Sequence, residues 1–158
     1  KTFHASAEQT PGRLNIFDFP DFKVMVDFAH NPEGFSGIRD FLKTINSPYH
    51  IGIITGTGDR PDDSIIKLGY ISAEMFDHII IHQAKFHRGR TPQAIVDLLI
   101  EGIKSYNPDC SFEYIPDEVE PLQYAMSKVK KDAFITALSD VLNNPIELIR
   151  SYQNDYKK

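Results

Sequence analysis

The sequence predicts an α/β domain built on an open, mostly parallel six-stranded sheet with helices on both faces. Three observations carry this expectation. Short β-favouring runs alternate with stretches whose apolar residues recur at helical spacing, the links between them are short, and only Pro20-Asp21 separates the first two runs. A two-residue link can close a hairpin and nothing longer, so the sheet carries an antiparallel N-terminal strand beside its parallel βαβ units.

Each element has a local cause. Leu14–Phe19 and Phe22–Asp27 are the hairpin runs. Asn31 is placed to cap a helix with Pro32 at its first position, and Phe35, Ile38, Leu42 and Ile45 give that helix an apolar stripe to about Asn46. After Ser47-Pro48, the run His50–Thr55 is of the buried parallel type and ends in Gly56-Thr57-Gly58-Asp59-Arg60. Pro61-Asp62-Asp63 opens a second helix to about Phe76, with acids where the helix dipole favours them. His78–His82 is the next strand, and its exit loop gathers Lys85, His87, Arg88 and Arg90 before Thr91-Pro92 starts a third helix. Phe112–Ile115, a helix marked by Val119, Leu122, Met126 and Val129, the strand Ala133–Leu138 and a last helix from Asn144-Pro145 complete the order.

Composition narrows the function. The 158 residues fit one domain with one core, burying roughly two-thirds of the unfolded surface. A net charge of -5 gives no footprint for nucleic acid or an anionic membrane. The lone Cys110 excludes an intramolecular disulfide and a Cys-based zinc site, which fits a reducing, cytoplasmic setting. No apolar run approaches the roughly 20 residues of a membrane span, and Lys1-Thr2-Phe3-His4-Ala5 lacks a signal peptide's apolar core. An opening at Lys1 rather than Met points to a piece of a longer chain.

The leading site candidates are Asp27, His30 and Asn31, a carboxylate, an imidazole and an amide delivered by a strand end onto a helix start. Such groups can grip a ribose hydroxyl, a phosphate or a metal-bound water, or they can serve as a turn carboxylate, a surface imidazole and a helix cap. The Gly56–Pro61 turn lets backbone N–H groups approach an anion, yet it has neither the third glycine of a dinucleotide fingerprint nor the Gly-Lys-Ser/Thr of a P-loop. Arg88 and Arg90 offer guanidinium forks for phosphate or carboxylate, and Asp62 or Asp63 could meet a cationic substrate. His78, His82 and His87 lack the carboxylate or cysteine that would complete a metal set, and Cys110 has no neighbouring base, so no metal site and no thiol nucleophile are expected.

Pro11-Gly12-Arg13, then Asp27-Phe28-Ala29-His30-Asn31-Pro32, then Gly58-Asp59-Arg60 resemble, in order and separation, the C-terminal domain of the Mur ligases, ATP-dependent amide ligases that include the folylpolyglutamate synthases. Ala73-Glu74-Met75-Phe76-Asp77 and Arg88-Gly89-Arg90-Thr91-Pro92 bring the likeness nearest to a branch that adds arginine to the β-carboxylates of an aspartate backbone. In that branch an ATP-grasp half shares the chain. The resemblance covers nearly the whole sequence, with residues 1–12 as linker or domain entrance and 13–158 as the domain.

The resemblance implies a Rossmann-like domain that closes over a central ATPase domain of the same chain. ATP and Mg2+ would be held mainly by that central domain, and a substrate carboxylate would be activated as an acyl phosphate for attack by an amine. Carried over by position, Arg13 and Asp27 bind the nucleotide, His30 and Asn31 are catalytic, and Asp59, Arg60, Arg88 and Arg90 line the entry of an amino-acid or peptide substrate. The full-length protein could form a homo-oligomer. Phe28 stands where tyrosine is commoner, removing one hydroxyl, and the central domain's Gly-rich, Lys-containing phosphate loop is absent from these residues. The chain alone is therefore expected to be inactive. The alternatives are another Mur-type ligase, acting on murein peptides or folates, and a non-catalytic α/β ligand-binding module.

Overall fold

A computed structural model of the chain describes residues 14–83, 88–138 and 144–157. Within them the elements run β1 (Asn15–Asp18), β2 (Phe22–Asp27), α1 (Pro32–Leu42), β3 (His50–Ile54), α2 (Asp62–Met75), β4 (His78–His82), α3 (Pro92–Tyr106), β5 (Ser111–Ile115), α4 (Pro121–Met126), β6 (Ala133–Leu138) and α5 (Pro145–Tyr156). They form one six-stranded sheet in the order β1-β2-β6-β3-β4-β5. The β1-β2 hairpin is antiparallel and every other pairing is parallel. The mostly parallel sheet with an antiparallel N-terminal strand is thus the one the sequence implies.

Burial along the strands follows their place in the sheet. β6, at the centre, is buried at all six positions, whereas the edge strands β1 and β5 keep exposed residues. Two apolar layers result. On one face Met25, Ile54, Ile79, Ile81 and Phe134 pack with Phe35 and Ile38 of α1, Ile65 and Leu68 of α2, and Ile95 and Leu99 of α3. On the other, Val24, Val26, Ile53, Ile80 and Ile135 pack with Leu122 of α4 and Ile149 of α5. Gly69 and Gly102 let α2 and α3 approach backbone to backbone: a Cβ on Gly102 would sit 1.8 Å from the Ile66 carbonyl oxygen, and one on Gly69 2.1 Å from that of Leu99.

Two helices end earlier than their apolar spacing suggests. α1 stops at Leu42 because Thr44 and Ile45 donate to the carbonyls of Phe41 and Leu42 in tight turns, with Thr44 Oγ1 also on the Phe41 carbonyl. α4 keeps only Pro121–Met126; Val119 lies in the turn before it and Val129 in the turns after it. Both valines still pack against the second apolar layer, which is why their spacing mimicked a longer helix.

The topology also sets where a ligand can sit. β2 and β3 lead into α1 and α2 on one face, while β6 between them precedes α5 on the other. Oppositely directed connections from neighbouring strands open a crevice beyond their carboxyl ends.

Candidate functional site

β2 buries Val24, Met25 and Val26 and then stops at Asp27. The Asp27 carboxylate forces the stop: Oδ1 accepts the N–H of Ala29 at 2.8 Å, bending the chain out of the strand, and Oδ2 accepts the N–H of Leu14 at 2.9 Å. Leu14 has φ of 47°, a left-handed conformation that costs a non-glycine residue about 1 kcal/mol and that this bond helps to hold. Asp27 therefore fixes the residue that follows Arg13; Arg13 itself lies outside the described residues.

His30 Nδ1 lies 3.1 Å from the Phe28 carbonyl oxygen. A carbonyl only accepts, so Nδ1 is the donor in this contact and Nε2 is the ring nitrogen left for another partner. Asn31 caps α1, its Oδ1 accepting the Gly34 N–H at 2.8 Å, with Pro32 in the first turn as the sequence predicts. The three candidates line one cleft of about 460 Å³ together with Phe28 and one face of α1: Gly34, Gly37, Ile38 and Phe41. Phe28 is 45% exposed. The apolar side of this cleft was not singled out from the sequence, although the 34, 37, 38, 41 spacing is a helical-face signal that could have shown it.

The second candidate group stands on the neighbouring loops. β2 and β3 flank β6, so at a strand spacing of about 4.8 Å their ends are about 10 Å apart. Beyond β3, Gly56 packs so closely on α3 that an added Cβ would lie 2.9 Å from Ile95 Cγ2. The chain then turns through Gly58-Asp59-Arg60 to α2. Arg90, from the loop before α3, reaches this turn: Nε donates to the Gly58 carbonyl at 3.0 Å and Nη2 to the Arg60 carbonyl at 2.9 Å, and Nη2 also forms an ion pair with Asp62 Oδ1 at 2.7 Å. Arg88 pairs with Asp59 at 3.5 Å. The structure thus brings Asp59, Arg60, Arg88 and Arg90 together, with Asp62 engaged by a guanidinium of the chain itself. Asp63 lies exposed beside it in the first turn of α2.

The remaining titratable candidates are held elsewhere. His78 is bound by Ser111 Oγ on Nδ1 and Glu113 Oε2 on Nε2, both at 2.7 Å. His82 is buried at the end of β4, and Lys85 and His87 lie outside the described residues. Among the described residues no three His, Cys, Asp or Glu side chains are grouped to hold a metal ion. Burial, aided by the Asp77 charge, pushes the Cys110 thiol pKa up and keeps it protonated. No helix among the described residues is long and apolar enough to cross a membrane.

The model of the Mur ligase glutamate ligase domain family matches residues 12–140 of this sequence. The chain belongs to the Mur ligase C-terminal domain family. As such a domain it is 38% identical over 96% of its length to the cyanophycin synthetase of Geminocystis herdmanii, of which it covers 17%. The fold matches a solved UDP-N-acetylmuramoyl-L-alanyl-D-glutamate--2,6-diaminopimelate ligase with a TM-score of 0.77 at 15% identity, over 95% of this chain and 33% of that one. It also matches Escherichia coli FolC in complex with ADP, with a TM-score of 0.69 at 17% identity over 92% and 33% of the two chains. This Mur ligase C-terminal domain therefore spans less than a fifth of that synthetase and a third of each of the two solved ligases.

Proposed function

We propose that this is the closing C-terminal domain of an ATP-dependent amide ligase of the cyanophycin synthetase kind, which adds arginine to an aspartate backbone. The observation that carries the reading is the cleft at the end of β2, where Asp27, His30 and Asn31 converge on the start of α1. Its apolar wall of Phe28, Ile38 and Phe41 and its polar rim suit part of a nucleotide. Arg13 and Asp27 would hold ATP, Asp27 through the carboxylate lone pairs left after its two backbone bonds. When bound, ATP supplies the phosphoryl group that activates a substrate carboxylate toward an amine.

His30, with Nδ1 on the Phe28 carbonyl, would turn Nε2 toward the phosphates. Asn31 spends Oδ1 on the helix cap and retains its amide N–H donors. Asp59, Arg60, Arg88 and Arg90 form the amine-facing side. The described residues offer no cage for Mg2+, so this reading assigns the metal and the phosphate loop to a central domain of a longer cytoplasmic chain. Residues 13–158 are then the domain and 1–12 its entrance. Its contribution is positioning and exclusion of water on closure.

The test is turnover by the longest natural chain that contains these residues, given MgATP, an aspartate-backbone primer and arginine. Arginine-dependent ADP release, lowered at least about tenfold by His30→Ala, is the expected result. ADP release that depends on diaminopimelate or glutamate instead would replace the substrate with that of a murein or folate ligase. The isolated 158-residue chain is expected to show no amide formation, and measurable turnover by it would overturn the claim that it is half of a site.

A further inference from the structure

We infer that Arg90 is a positioning residue that straps the Gly58–Asp62 turn to the loop preceding α3, so that the two loops meet an acceptor amine as one body. The inference rests on the amine-side assignment above and deepens it. Two hydrogen bonds of one guanidinium end on backbone carbonyls, Gly58 at 3.0 Å and Arg60 at 2.9 Å, and its Nη2 also pairs with the exposed Asp62 carboxylate at 2.7 Å. The Arg90 side chain is 26% exposed, whereas Arg88 is 56% exposed and meets its partner Asp59 at the longer 3.5 Å. Gly89, with φ of 91°, turns the chain between the two arginines. Two arginines two residues apart thus take different tasks. Arg90 is spent on the backbone of the neighbouring turn, and Arg88 pairs with Asp59.

The geometry also reassigns Asp62. A guanidinium from within the chain already pairs with its Oδ1, so an arginine substrate would share this exposed carboxylate with Arg90 rather than meet an unneutralised charge. Replacing Arg90 by lysine removes the planar fork that spans both carbonyls, because an ammonium is a point donor on a flexible stem. Losing the strap frees Asp59 and Arg60 from their places relative to Arg88, which weakens acceptor binding without touching the nucleotide cleft.

The experiment uses the long chain and the variants Arg90→Gln, Arg90→Lys and Asp62→Asn, with arginine and argininamide as acceptors. The expected result for Arg90→Gln is a KM for the acceptor raised about tenfold or more with the KM for ATP within about twofold, a split that marks lost acceptor binding. Arg90→Lys fails to rescue, and Asp62→Asn, which keeps both carbonyl contacts, has a smaller effect. The penalty is equal for arginine and argininamide. A penalty that vanishes with argininamide would show that Arg90 grips the substrate carboxylate and would overturn the inference, as would unchanged kinetics or a loss that affects both substrates together with thermal stability. Amide hydrogen exchange at residues 58–62 gives a readout free of any substrate. It rises at least about tenfold in Arg90→Gln if the strap holds. Unchanged exchange overturns the strap, whereas a wild-type chain without arginine-dependent turnover overturns only the substrate reading.

Discussion

At the exit of β2, polar side chains are tied to backbone N–H groups close by in sequence. Asp27 and Asn31 make bonds that span 2, 3 and 13 residues. At the exits of β3 and β4, Arg90 is tied to carbonyls 30 and 32 residues away, and Arg88 pairs with Asp59 across the same gap between loops. The bonds of the first region close within one stretch of chain, residues 14–34. The second exists only once β3 and β4 lie side by side. A site built from both has one wall that is rigid by local chemistry and one whose shape depends on long-range lacing.

That contrast can be broken by removing its anchors in turn. Asp27→Ala leaves the N–H groups of Leu14 and Ala29 without their acceptor, and a loss of about 2–3 kcal/mol is expected, read as a fall of roughly 5–10 °C in Tm. A change below about 0.5 kcal/mol would show that the carboxylate does not hold the turn. Asn31→Ala removes the α1 cap and should cost about 1 kcal/mol, with Asn31→Asp or Asn31→Ser sparing most of it.

The laced side should answer differently. Arg88→Ala breaks a half-exposed pair and is expected to change stability by less than about 0.5 kcal/mol in chemical denaturation. A larger loss would mean that the second wall is as integral to the fold as the first. The smallest effect is a pH control at the opposite, amino-terminal end of the strands. Burial holds the His50 imidazole below its usual 6.5, against the pull of Asp77. The unfolded chain therefore takes up this proton more readily, and stability contributed by the neutral folded form falls as pH drops below 6.5. His50→Gln should remove that part of the acid sensitivity, seen as a shallower loss of Tm between neutral and mildly acid pH, and an unchanged slope would assign the acid loss to other groups.

Legibility followed the same division. Asp27, His30 and Asn31 could be singled out because five consecutive residues hold a strand end, a turn carboxylate and a helix cap, and their bonds stay local. Arg88 and Arg90 could be named as basic groups on a loop, but not as partners of Asp59 and Asp62. No periodicity relates positions about 30 apart. The helices end at Leu42 and Met126, short of their apolar spacing, for a related reason: apolar residues beyond each end still face a core layer, so spacing alone extends the helix.

By itself the sequence determined the alternation of strands and helices, the antiparallel hairpin at Pro20-Asp21, the Asn31 cap and the motif order that carries the Mur-type likeness. Each of these depends on neighbours along the chain, where backbone geometry and side-chain hydrogen bonding act directly. Tertiary structure alone decided that β6 enters between β2 and β3, that the apolar face of α1 walls a cleft, and that Arg90 joins two loops. Those outcomes depend on which surfaces meet when two apolar layers close over one sheet.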